Sequence, residues 1–125
     1  MKIAIIGLGF VGLSLTSVLA SKGFNIVGID IDKEKCKKIS NGISPFYEPD
    51  LEKTLKNGLK KGLKISDDFS LIKNCDLLFV TVGTPQNTNG SIDLSIIKKA
   101  VSTIGKNLKE NKKQPIIFIK TCYNY

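Results

Sequence analysis

The sequence predicts an α/β fold: a doubly wound parallel sheet in three layers, with strand order 3-2-1-4-5. Two observations carry the prediction. Short apolar runs alternate with amphipathic stretches along the whole 125 residues, which is the pattern of strands joined by crossover helices. The first such run, "IAII", leads directly into three glycines spaced G-x-G-x-x-G, Gly7, Gly9 and Gly12.

Each element follows from its own pattern. Ile3–Ile6 is apolar at every position, as a strand covered on both faces must be. Val11, Leu15, Val18 and Leu19 recur at helical spacing up to a stop at Lys22–Gly23. Ile26–Ile29 is the second strand and ends at Asp30. Residues 32–41 form a short Lys-rich helix closed by Asn41–Gly42. The loop "SPFYEPD", residues 44–50, is stiffened by two prolines, and Leu51, Leu55 and Leu59 then mark a helix starting near Pro49. Leu63–Ser66 is a weak third strand and Leu77–Val82 a strong fourth. The polar loop "GTPQNTNG" precedes a long helix that begins near Asp93 and carries Ile96, Ile97, Ala100, Val101, Ile104 and Leu108. Ile116–Ile119, after Pro115, is the fifth strand. There is no internal repeat, low-complexity tract or interdomain linker, so one domain is expected.

The glycine motif is generic by itself, and its context gives it meaning. It leaves a strand and opens a helix, so each glycine has a physical task. Gly7 permits the tight turn, Gly9 lets backbone approach a pyrophosphate, and Gly12 lets the helix lie close to the strand. The helix's free N–H groups and positive end then face the phosphates. Asp30 stands eighteen residues after Gly12, at the end of the next strand, where a carboxylate accepts hydrogen bonds from ribose hydroxyls and repels a 2′-phosphate. The competing reading of Asp30 is an N-cap for the following helix. This is the order of a Rossmann-type dinucleotide site with NAD preferred. Lys33 and Lys35 leave NADP as a lesser option. Across the crevice, "VTVGTPQ" places Thr81, Gly83, Thr84 and Pro85 at the carboxyl end of the fourth strand, as ligand contacts or as a plain Gly-Pro turn.

Composition narrows the chemistry. All nineteen basic residues are Lys, with no Arg and no His, and the net charge is +8. Lacking His, the chain has no Ser-His-Asp triad, Cys-His pair or His-ligated metal, and no metal site is expected. Lacking Arg, the basic balance reads as a solvated Lys-rich surface rather than a nucleic-acid footprint. Cys36, Cys75 and Cys122 are odd in number and none pairs as C-x-x-C, which suggests reduced thiols in a cytoplasmic protein. Residues 3–20 are uncharged but are interrupted by Gly7, Gly9, Gly12, Ser14, Thr16 and Ser17, so neither an export signal nor a membrane anchor is expected.

Beyond these readings, the segments "KIAIIGLGFVGL", "GIDID", "NGISPFYEPDLE", "VGTPQNTNGSIDLS" and "IIFIK" occur in the order found in the UDP-glucose/UDP-mannuronate dehydrogenases. The chain resembles that family from Met1 to about Thr121, and the two loops carry more of the likeness than the glycines do. The resemblance implies a nucleotide-sugar 6-dehydrogenase that oxidises a C6 alcohol to a carboxylate with two NAD. A Cys thiol carries the intermediate as a thiohemiacetal and then as a thioester that water hydrolyses. It implies NAD contacts at Val11, Asp30, Lys35 and Thr84. With the motif residues, the expected cofactor set is Gly7, Gly9, Phe10, Val11, Gly12, Asp30, Lys35, Gly83, Thr84 and Pro85.

The family's catalytic Cys, its Lys and Asp helpers and its sugar-nucleotide domain lie beyond the matched segment. The reading is therefore a domain of residues 1–121 that binds NAD, a tail 122–125 outside the family pattern, no catalytic residue in this chain, and no turnover by it alone. Cys122, which stands where the family has Thr, has no activating base and is not read as a nucleophile; Cys36 and Cys75 are read as packing residues. A UDP-sugar is a partner only of a longer parent, and apolar surface left bare by the missing domains favours homo-oligomers. The alternative is a non-enzymatic dinucleotide-sensing module, which shares the glycine motif but lacks "SPFYEP" and "VGTP". A third relation, to short hydroxyacid dehydrogenases, covers only the logic of the first fifty residues.

Overall fold

The computed structural model describes residues 1–121. The elements run β1 (Lys2–Ile6), α1 (Phe10–Ser21), β2 (Asn25–Ile29), α2 (Lys33–Ser40), α3 (Leu51–Lys60), β3 (Lys64–Ser66), a 3₁₀ helix (Phe69–Asn74), β4 (Leu77–Val80), α4 (Ser95–Leu108) and β5 (Ile116–Ile119). The sheet is parallel throughout and ordered β3-β2-β1-β4-β5. The expected strand order is thus the observed one. β1 lies in the centre, in register from Ile3 against Ile26 on one side and Leu77 on the other.

The pleat of β1 divides the core. Ile3 and Ile5 point to the layer of α1, α2 and α3, where they meet Leu13, Ile39 and Leu55. Ala4 and Ile6 point to the 3₁₀ helix and α4, where they meet Ile72, Ile104 and Leu108. This two-sided burial is why the strand shows no polar alternation. The 3₁₀ helix has no counterpart in the sequence reading. A six-residue turn with Asp68 accepting from the Ser70 N–H is too short to show a periodicity.

Three expectations about apolar faces are corrected. Along α1 the buried positions are Gly12, Leu13, Thr16, Ser17 and Ala20, while Val18 is exposed and Leu15 and Leu19 pack at the flank. The helix lies so near the sheet that Leu13 and the small residues are buried, and Leu15 and Leu19 pack at the side of that core. Along α4 only Ile104 and Leu108 are buried; Ile96 and Val101 are exposed. β5 is not covered on both faces: Ile116, Ile117, Phe118 and Ile119 are 44–66% exposed, and the Phe79 ring stacks on Phe118.

Candidate functional site

The site forms where β1, β2 and β4 end. Gly7 leaves β1 at φ +95°, a conformation that costs a residue with Cβ dearly. Its N–H donates to the Ile29 carbonyl, so the turn starts pinned to β2. Thr81 pins it from the other side: its N–H donates to the Ile6 carbonyl and its hydroxyl to the Gly7 carbonyl at 2.8 Å. A Cβ on Gly12 would stand 1.8 Å from the Gly7 carbonyl oxygen and 2.6 Å from Thr81 Oγ1. Gly12 therefore sets the distance between α1 and the turn. Gly9 differs from both. Its φ is −79°, and a Cβ there would meet nothing within 4 Å. The space in front of it is open, as approach by a large ligand requires. α1 has no side-chain cap and no acidic residue in its first turn, and helical geometry gives the N–H groups of Phe10, Val11 and Gly12 no carbonyl partner.

Asp30 closes the other wall. Only 7% exposed, its carboxylate receives the Leu8 N–H at 2.8 Å and the Lys35 ammonium at 3.1 Å on Oδ2, and the Asp32 N–H at 2.9 Å on Oδ1. The helix-cap reading of Asp30 fails, because Asp32 caps α2 by accepting from the Lys35 N–H. Three of about four lone-pair directions on the Asp30 carboxylate are taken, which leaves acceptor capacity toward the cavity. Leu8 lies between Gly7 and Gly9, so Asp30 also braces the glycine turn.

These walls enclose a cavity of about 690 Å³ lined by Gly7, Gly9, Asp30, Lys35, Thr81 and Gly83, among others. Of the expected residues, Gly12 stands behind the wall, while Phe10, Val11, Thr84 and Pro85 do not line the cavity. Thr84 is buried at 4% exposure, and Phe10 stacks on Phe46 in the "SPFYEPD" loop. The far side of the cavity escaped the sequence reading. Ile31 and Phe69 stand on one edge, and Ile96, Lys99, Ala100 and Thr103 of α4 on the other. The signal was present in two places. Ile31 is an apolar residue left 75% exposed after a strand has ended. The α4 series Ile96, Ala100, Ile104 and Leu108 advances by four; its carboxyl half meets the sheet and its amino half meets the cavity.

The geometry fits a dinucleotide: an open glycine turn under free N–H groups for phosphates, a buried carboxylate for a ribose, and apolar side chains for a flat base. Neither described thiol, Cys36 or Cys75, lines the cavity. Burial pushes the Cys36 and Cys75 thiols up, and at Cys36 the nearby Asp30 charge pushes further. Cys122 lies outside the described residues. Among the described residues no cluster of three His, Cys, Asp or Glu could hold a metal ion, and no helix is long and apolar enough to cross a membrane.

Known proteins share both the sequence and this architecture. Residues 1–123 match the family model for the UDP-glucose/GDP-mannose dehydrogenase family, NAD binding domain. The UDP-glucose 6-dehydrogenase TuaD of Bacillus subtilis is 40% identical over 113 residues, which are 89% of this chain and 24% of that protein. The GDP-mannose 6-dehydrogenase of Pseudomonas syringae pv. tomato is 37% identical over 97% of this chain and 28% of its own length. The crystal structure of a ternary complex of GDP-mannose dehydrogenase from Pseudomonas aeruginosa superposes with a TM-score of 0.93 at 33% identity, again over 97% of this chain and 28% of the other. The chain thus spans about a quarter of the length of these relatives. With a family match over nearly every residue and the sheet order, glycine turn and acidic wall in place, this chain belongs to the UDP-glucose/GDP-mannose dehydrogenase family as its NAD binding domain, and its cofactor is NAD.

Proposed function

We propose that this chain is the cofactor-holding part of a nucleotide-sugar 6-dehydrogenase, which oxidises the C6 alcohol of a UDP-sugar to a carboxylate with two NAD, and that the chain alone holds NAD without oxidising the sugar. The observation that supports this best is the Asp30 carboxylate, buried in the cavity wall within one hydrogen bond of both the glycine turn and Lys35. NAD, when bound, supplies the hydride acceptor. The residues of this chain bind and orient it. The turn Gly7, Gly9 and Gly12 with the N–H groups of Phe10 and Val11 receives the pyrophosphate. Asp30 accepts from the adenosine ribose hydroxyls with Lys35 beside it. Gly83, with Thr84 and Pro85 next in the chain, shapes the opposite rim. A carboxylate at Asp30 repels the 2′-phosphate of NADP. Turnover needs the alcohol carbon held ~3–3.5 Å from the nicotinamide, and no cysteine of the described residues lines the cavity to carry a covalent intermediate.

The same reading places the protein in the cytoplasm, in keeping with the free thiols of Cys36 and Cys75, and expects copies to associate through bare apolar surface. Calorimetric titration with NAD and NADP tests the site: NAD binds, and NADP binds at least ~10-fold more weakly, equal to ~1.4 kcal/mol. No heat with either cofactor would sink the reading. Incubation with UDP-glucose and NAD tests the second half of the proposal; steady NADH formation by this chain alone would refute it.

A further inference from the structure

The loop between α2 and α3 reaches over the first turn of α1 and touches it twice. Phe10, the first residue of α1 and a variable position inside the glycine motif, stacks its ring on Phe46, with centroids 4.9 Å apart and planes at 24°. One turn further on, the Ser14 hydroxyl donates to Glu48 Oε2 at 3.1 Å. Neither contact touches the cavity, and neither partner caps a backbone group of α1.

The loop is itself held firmly. Pro45 and Pro49 restrict its backbone, the Ser44 N–H donates to Glu52 Oε1 at 3.1 Å, and the Leu51 N–H donates to the Glu48 carbonyl at 3.2 Å. Asp50 ends it in the left-handed region at φ +64°, a conformation that a non-glycine residue keeps only where its surroundings enforce it. Phe46 also packs on the core beneath α1.

We infer that Phe46 and Glu48 are positioning residues for cofactor binding: acting through Phe10 and Ser14, they hold the amino end of α1 in place behind Gly9, its N-cap, which lines the cavity. The physical need arises from the motif. Gly9 has open space around it, and glycines lose more backbone freedom than any other residue when a turn is fixed. A ligand that must order such a turn loses affinity to that ordering, whereas a turn ordered in advance does not impose the loss. Gly7 and Gly12 are locked by Thr81 and the sheet. The outer side of the first turn, where Phe10 is 58% exposed, has the α2–α3 loop as its support. Glu48 acts as a hydrogen-bond acceptor here, since its negative charge near the positive end of α1 competes with a phosphate rather than helping it.

This inference rests on the reading of the cavity as the NAD site. Its test is NAD affinity by titration for the wild-type chain, F46A, F46Y, E48A and E48Q, with F10A and F10A/F46A closing a double-mutant cycle. NAD affinity is expected to fall ~5-fold in F46A and E48A and to stay within ~2-fold of wild type in F46Y and E48Q, which keep the ring and the acceptor. The F10A and F46A losses are expected to be non-additive, as residues in contact are. Failure of the wild-type chain to bind NAD would overturn the site reading underneath. Wild-type binding with unchanged affinity in F46A and E48A would overturn the positioning role alone, and so would a loss in E48Q equal to that in E48A. If F46A does not fold, the Glu48 pair still decides.

Discussion

Two glycines three positions apart have opposite duties. Gly12 stands against the Gly7 carbonyl, where no Cβ fits. Gly12→Ala is expected to cost about 3 kcal/mol of stability by overpacking, or a fall in melting temperature of roughly 10 °C in a thermal denaturation scan. A Cβ on Gly9 would meet nothing within 4 Å, and its φ of −79° suits any residue. Gly9→Ala is expected to leave the melting temperature within ~3 °C while NAD affinity in calorimetry drops ~10-fold or more, since on the proposed site the methyl group takes the space of the pyrophosphate. Equal effects of the two substitutions on stability would refute the division of roles. This division was legible from the strand–turn–helix order alone, because the tasks of the glycines follow from backbone sterics that are local. The brace from Asp30 to the Leu8 N–H and the brace from Thr81 to the Gly7 carbonyl were not legible, since they join residues 22 and 74 apart in the chain.

Among the elements, α2 and the β1–β4–β5 corner carry the clearest predictions. Asp32, not Asp30, caps α2, so Asp32→Ala should lose about 1 kcal/mol with NAD affinity changed little, whereas Asp30→Ala should lose most of the affinity; parallel denaturation and titration separate the two. At the amino end of the sheet, Asp76 accepts from the Lys2 N–H at 2.8 Å and pairs with Lys113. The Lys113 ammonium and the Lys2 N–H hold its carboxyl below the usual carboxylate range. A depressed folded value means that the stabilisation is complete above the unfolded pKa of about 3.9 and disappears as pH falls through the lower folded value. Asp68 and Asp93 shift the same way through their bonds to Ser70 and Ser95. Melting temperature should therefore fall as pH drops below ~4, and less steeply in Asp76→Asn; melts from pH 7 to pH 2.5 in both proteins show whether it does. The helices were legible in extent but not in orientation. α1 buries its small residues because Gly12 draws it onto the sheet, and a pattern of large apolar residues points elsewhere.

For the molecule as a whole, the exposed edge strand β5 is the main consequence of the fold. Ile116 is 66% exposed and Ile117 44%, on opposite faces of a strand that pairs with β4. Apolar edges of this kind recruit other chains. Sedimentation velocity across a range of concentrations is expected to show self-association that weakens in the Ile116→Lys and Ile117→Lys variants; a monomer at every concentration would count against it.

The chain by itself determined the strand order, the glycine turn between β1 and α1, the acid at the end of β2 and the family. Each rests on short-range pattern, and parallel α/β units connect in few ways. Only the tertiary structure decided the far wall of the cavity on α4, the duty of Asp32 as the helix cap, and the loop that grips the first turn of α1. Those depend on where helices lie against the sheet, which packing between distant residues sets; the spacing of Ile96, Ala100, Ile104 and Leu108 marks one face of α4 but not what that face meets.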